Sequence, residues 1–433
     1  MSAGMSALLL FGVMLFLLIM GVPIAYSISI SGIVYLVVTG MKSLILIPQR
    51  TIIQMDSFVL LAIPLFTFMG YLMEQGGLSQ RLVDWVKQAF GWIPGSMGTV
   101  TIVCCTFFAA LTGSGPATVA AIGSLMIPTM LESGYDRKEC AGIVAAGGAL
   151  GPIIPPSVAM IVYGTAMNTS VPAMFSAAII PGLFIAMLLI LTNIFSCAKK
   201  GIKSKYKRVA FREFLKITAR AIFVLLLPLI ILGGIYGGIF TATEAAAVGT
   251  AYALILSIAY KQLTLKKLVE AARKTVYTSS MVMFIIGVSG IFAWLLAATR
   301  VPATLVSAIT PVLGNKYIYM FALMMILFVV GCLMDTIPAI LILGPILVPI
   351  GIAMGWSTIH ISVCFCINLI VGFITPPFGI NLFTVTAVAE VTFADAVKGV
   401  MPYLIAAAVG VMIIAFVPAF TEWLPQMAGM KVW

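Results

Sequence analysis

A chain of 433 residues with 62% hydrophobic residues, 9% charged residues and a mean hydropathy of +1.19 excludes a soluble globule, in which about a quarter of residues are charged. The net charge of +11 does not point to nucleic acid, because the basic residues gather in loops between apolar segments. The sequence therefore predicts an all-α polytopic membrane protein, with membrane lipid as the partner of its basic loops.

The first 41 residues are apolar and hold no Lys or Arg, so they lack the basic region of a signal peptide and are expected to remain as spans near 5–21 and 22–41. A third span covers 58–75, and 79–90 mixes apolar and charged residues at helical spacing. The stretch 96–130 is interrupted by Gly113-Ser114-Gly115-Pro116, which predicts a re-entrant hairpin. Spans near 138–168, broken at Pro155-Pro156, and 173–197 follow. Nine basic residues from Lys199 to Arg220 and five from Lys261 to Lys274 flank the spans 221–240 and 242–260, so both loops lie on one side. By the positive-inside rule that side is cytoplasmic. The remaining spans are 276–298, 357–388, broken at Pro376-Pro377, and 398–422, with a second hairpin over 318–350 at Asp335-Thr336-Ile337-Pro338. Ten crossings leave both termini outside and place nineteen Lys and Arg inside against five outside. Segments 79–90, 203–216 and 262–274 are expected as interfacial or arm helices.

An internal repeat organises this layout. Gly123, Pro128, Gly134, Gly151, Pro155, Pro156 and Pro181 recur as Gly344, Pro349, Gly355, Gly372, Pro376, Pro377 and Pro402, each 221 positions later. An odd number of crossings separates the two Pro-Pro pairs, so the copies are expected to run in opposite directions through the membrane, an inverted-topology repeat with two hairpins and two discontinuous helices. The chain divides into N-terminal scaffold helices (1–95), a first hairpin and broken helix (96–197), arm and second scaffold helices (198–316), and a second hairpin and broken helix (317–433).

Candidate chemistry sits at the interruptions. Proline removes a backbone donor and glycine permits the turn, so carbonyl oxygens are freed where Ser and Thr hydroxyls lie close, a ligand set suited to an alkali cation. The half-helix N-termini after each break favour an anion. Asp335 stands where the first copy has Ser114, and a carboxylate at that depth costs about 2.5–3.5 kcal/mol on insertion scales. It can also cap the returning helix of its hairpin. Glu244 reads as an N-terminal helix carboxylate, while Asp56 and Glu74 read as solvated or capping. The seven cysteines and the one histidine, His360, lack metal-ligand spacing and read as packing residues, and no constellation suggests an enzyme.

At Ser114-Gly115-Pro116-Ala117-Thr118, Ile154-Pro155-Pro156-Ser157, Pro181-Gly182, Thr243-Glu244-Ala245 and Thr375-Pro376-Pro377 through Asn381-Leu382-Phe383, the chain resembles the large membrane subunit of the tripartite ATP-independent periplasmic (TRAP) transporters over nearly its whole length. The resemblance implies a sodium-driven importer of small organic acids, such as sialic acid or C4-dicarboxylates, in the bacterial inner membrane. It implies an elevator mechanism, a small membrane subunit and a periplasmic substrate-binding protein as partners, and two Na+ sites. The first would involve Thr112, Ser114, Gly151, Ile154 and Pro156, the second Asp335, Gly372, Thr375 and Pro377. The anionic substrate is expected at Pro155, Ser157, Thr375 and Asn381. A stand-alone sodium/carboxylate symporter of the same architecture is the alternative.

Overall fold

A computed structural model describes residues 2–40, 43–93, 95–202 and 210–433, and the regular structure among them is entirely helical. Paired helices α1 (Ala3–Ile19) and α2 (Ile24–Val38) come first, then α3 (Leu46–Met55), α4 (Ala62–Gln75) and the amphipathic α5 (Leu78–Phe90). Helices α6 (Ser96–Thr112) and α7 (Gly115–Glu132) are joined through two residues and pack on each other, as do α15 (Lys316–Leu333) and α16 (Thr336–Ala353). Both expected hairpins are therefore present as folded-back helix pairs. Each is followed by a broken helix and a long one. These are α8 (Arg137–Ile153), α9 (Val158–Met167) and α10 (Val171–Lys200) in the first half. In the second they are α17 (Thr358–Val371), α18 (Ile380–Ala389) and α19 (Phe393–Phe416), before a terminal α20 (Ala419–Met427). Between the halves run α11 (Phe211–Tyr236), α12 (Ala242–Ala259), α13 (Leu265–Ala298) and α14 (Val301–Leu313). The starts of α7 and α16, Gly115 and Thr336, differ by 221, as do those of α8 and α17, Arg137 and Thr358, so the repeat of glycine and proline is also a repeat of elements.

Two expectations change. Segment 262–274 is not a separate helix, because α13 runs unbroken for 34 residues. At 1.5 Å per residue that is about 50 Å, well beyond a hydrocarbon core of about 30 Å, so one helix supplies both the arm and the span. Of segment 203–216, residues 211–216 begin α11, which continues into the next span and bends by 70° between Ala219 and Ala221; residues 203–209, and with them much of the first basic loop, lie outside the described residues. Among the described residues eight helical segments are long and apolar enough to cross a membrane, including α15 and α16 separately. Helices α1 and α2, of 17 and 15 residues, are shorter than that length.

In lipid, helices associate through close packing and hydrogen bonds rather than by escaping water, which favours small residues at crossings. The chain follows this rule at its centre. Helix α8 is buried along nearly its whole length, and a Cβ placed on Gly142 would lie 2.1 Å from the Gly399 carbonyl oxygen of α19. Asn193 of α10 fixes the entrance to α6, its Nδ2 donating to the Gly95 carbonyl at 2.9 Å and to Thr99 Oγ1 at 3.0 Å. Glu244 forms a capping box with Thr241, accepting from the Thr241 N–H at 2.8 Å, in agreement with its expected role. Glu74 is not simply solvated; it pairs with Lys274 of α13 at 3.4 Å. His360 is buried, with ring nitrogens 2.7 Å from Thr421 Oγ1 and 3.0 Å from the Ala415 carbonyl, tying α17 to the C-terminal segment. Six cysteines are buried and Cys332 is half-buried.

Candidate functional site

Both hairpin tips open on one cavity of about 280 Å³. The first tip contributes Thr112 to Ala117 and the second Asp335 to Ile337, and Pro152 and Phe373 come from beside the two breaks. The first residues of four helices line it: Gly115 of α7, Thr336 of α16, Val158 of α9 and Ile380 of α18. Each helix start carries the positive end of a dipole, so four such ends converge on one volume, those of α16 and α9 being capped by Asp335 and Ser157. No Lys, Arg or His is among the lining residues.

The first expected cation set is largely assembled. Thr112 and Ser114 line the cavity, and a Cβ on Gly151 would lie 2.6 Å from the Ser114 carbonyl oxygen, so only glycine lets α8 approach the tip this closely. Likewise a Cβ on Gly113, at φ 61°, would lie 2.5 Å from the Pro156 carbonyl oxygen. Thr118, part of the first motif but not among the expected ligands, donates to the Ser114 carbonyl at 2.8 Å and stands 3.2 Å from Thr112 Oγ1. Its signal was its place one helical turn after the tip. Carbonyl and hydroxyl oxygens thus cluster where tip and break interlock, a donor set that fits a hard cation. Ile154 lies at the break, with its side chain packed over Gly182 of α10.

The second set is more open. Asp335 lines the cavity and caps α16, its Oδ1 accepting from the Thr336 N–H at 2.6 Å. The hydroxyl of Thr336 is buried without a hydrogen-bond partner. Gly372 abuts α15, where a Cβ would lie 2.2 Å from the Gly331 carbonyl oxygen, and the Phe378 N–H donates to the Cys332 carbonyl at 3.3 Å. Thr375 Oγ1 donates to the Val371 carbonyl at 2.9 Å. Pro377 and Phe378 are exposed, whereas their counterparts Pro156 and Ser157 are buried. Both Pro-Pro bonds are cis.

None of the four expected substrate residues lines the cavity. Pro155 is buried at the break. Ser157 caps α9 and donates to the Pro152 carbonyl, and Thr375 is engaged as described. Asn381 comes nearest, wedged between repeats: its Nδ2 donates to the Ala145 carbonyl at 3.1 Å, while its buried Oδ1, without a partner, faces the start of α7 at Gly115. The expected site did not include α4 and α13. They supply Thr67, Gly70 and Tyr71, and Thr278, Met281 and Val282, to the wall, and Tyr71 and Thr278 hydroxyls meet at 3.1 Å. The available signal was a polar face at helical spacing, Thr67, Gly70, Tyr71 and Glu74, inside an apolar span.

Comparison with known proteins fits this arrangement. The chain is 36% identical over 411 residues to the isethionate TRAP transporter permease protein DctMQ of Oleidesulfovibrio alaskensis, which covers 95% of this chain and 65% of that protein. It is 34% identical to the sialic acid TRAP transporter large permease protein SiaM of Vibrio cholerae over 95% of this chain and 96% of that one. It is 37% identical to the C4-dicarboxylate TRAP transporter large permease protein DctM of Pseudomonas aeruginosa over 87% and 88%. In fold it is similar to the crystal structure of the Alcanivorax borkumensis YdaH transporter, with a TM-score of 0.64 and 13% identity over 86% of each chain. The sequence profile of the tripartite ATP-independent periplasmic transporter DctM component matches residues 11–420. With its long apolar helices, the chain is an inner-membrane protein and belongs to that family, the large permease component of TRAP transporters.

Proposed function

We propose that this permease moves a small organic anion inward with sodium, by an elevator motion and in company with a small membrane subunit and a periplasmic binding protein. The observation that carries the reading is the cavity where four helix N-termini converge without a basic side chain among the lining residues. Such a site favours negative charge through backbone dipoles, and a bound cation strengthens it further. Two sets of residues are each assigned one Na+: Thr112, Ser114, Gly151, Ile154 and Pro156, and Asp335, Gly372, Thr375 and Pro377, of which Thr112, Ser114 and Asp335 line the cavity. The relatives' names support an organic acid as cargo, since isethionate, sialic acid and C4-dicarboxylates are all small anions. The name DctMQ, carried by a relative that this chain covers only in part, supports a small-subunit partner.

On this reading residues 96–197 and 317–433 form the moving body, two inverted copies of one unit. Residues 1–95 and 198–316 form the scaffold, and the cavity lies where α4 and α13 meet both tips. Uptake into vesicles should occur only when the small subunit and the binding protein are both supplied. Full uptake by this chain alone would replace the reading with a stand-alone sodium/carboxylate symporter.

A further inference from the structure

The lining of the cavity divides by chemistry. Four helix starts face it, those of α7, α9, α16 and α18, and Asp335 at the second tip already accepts from the first N–H of α16; the Thr336 hydroxyl beside it is buried without a partner. The remaining wall is largely apolar, with Ile63 from α4, Met281, Val282 and Ile285 from α13, and Ile337 and Phe373. Thr67 and Ser114 each bring a hydroxyl to the lining, whereas those of Tyr71 and Thr278 are engaged with each other at 3.1 Å. That of Thr112 is engaged with the Phe108 carbonyl at 3.3 Å and with Thr118 at 3.2 Å.

We infer that this cavity selects a small monocarboxylate with a branched apolar body over a dicarboxylate or a polyhydroxylated sugar acid. The inference rests on the organic-anion reading above. One carboxylate is met by the helix starts and by the one of the two assigned Na+ that Asp335 does not offset. A second would face the Asp335 carboxylate, and the lining residues include no basic side chain to balance it. Beyond what Thr67 and Ser114 can meet, the several hydroxyls of a sugar acid would leave water for aliphatic neighbours, and a buried polar group without a partner is penalised more strongly than an extra methyl is rewarded. An aliphatic body loses nothing there and fills the space between α4 and α13.

The test uses the purified complex of this chain with its small subunit in lipid nanodiscs, without the binding protein, so that selection belongs to the membrane site. Thermal stabilisation in sodium buffer is titrated with 4-methyl-2-oxopentanoate, succinate and N-acetylneuraminate. Half-maximal stabilisation should need at least about tenfold less of the branched acid than of either competitor, the factor expected for one unmet polar group. Equal or tighter response to succinate or N-acetylneuraminate would overturn the inference while leaving an organic anion as cargo. No response to any of the three would overturn both. Ile285→Asn and Met281→Gln, each checked for an unfolding midpoint near that of the parent without ligand, should narrow the preference at least about threefold. Where one of them folds and the preference is unchanged, the wall is not selective and the inference fails.

Discussion

Asp335 and Ser114 hold the same place in two hairpins, each the residue before a returning helix, yet only Asp335 spends its side chain on a cap. Its second carboxylate oxygen remains for a cation, and charged hydrogen-bonding partners are worth about 1.5–3 kcal/mol against about 0.5–1.5 for neutral ones. Asp335→Asn keeps the cap, since Asn caps about as well as Asp, and removes the charge. It should raise the half-saturating sodium concentration of transport about tenfold or more, whereas Ser114→Ala should raise it no more than about fivefold. An unchanged sodium activation curve for Asp335→Asn, at matched protein insertion in vesicles, would return Asp335 to a capping role alone. These two positions were legible because glycine and proline punctuate the chain around them. Ser157 and Thr375 were not correctly readable as cavity residues. A hydroxyl beside a break can serve the cavity or satisfy freed backbone, and here both hydroxyls bond to carbonyls four or five residues earlier.

At the scale of elements, apolar length and turn chemistry located both hairpins and both broken helices to within a few residues. What they could not locate was the contact between elements. Glycines along α8 show why: Gly142 meets the backbone of α19, and Gly147 and Gly148 meet Cys105 and Val119, which no local pattern states. Gly142→Ala should therefore destabilise the protein by about 1–3 kcal/mol, the usual range for overpacking, and lower its unfolding midpoint. Gly12→Ala in α1, where a Cβ would meet nothing within 4 Å, should leave the midpoint unchanged or slightly raised. Equal midpoints for Gly142→Ala and the parent would mean that the α8–α19 crossing is looser than the backbone contact implies. The separate arm helix expected at 262–274 failed for a different reason. Charged residues mark where a helix leaves the bilayer but do not end it, and α13 continues through them.

For the whole molecule, the repeat at 221 positions was the strongest signal in the sequence, and the element starts reproduce it. The sequence did not reveal that the two copies share one cavity with α4 and α13, because those helices carry no interruption and their contribution is a matter of tertiary packing. That shared cavity is one volume lined by both hairpin tips, α4 and α13, and on the proposed reading it takes the anion at its helix starts with sodium beside them. Its most direct test is the entry of radioactive sodium into vesicles holding the reconstituted membrane complex, with the binding protein outside and 4-methyl-2-oxopentanoate, succinate or N-acetylneuraminate as cargo. Sodium entry should rise only when binding protein and a transported acid are both present, and should fall with acid uptake in Asp335→Asn. Acid uptake at full rate in potassium buffer, or acid uptake without accompanying sodium entry, would contradict the account.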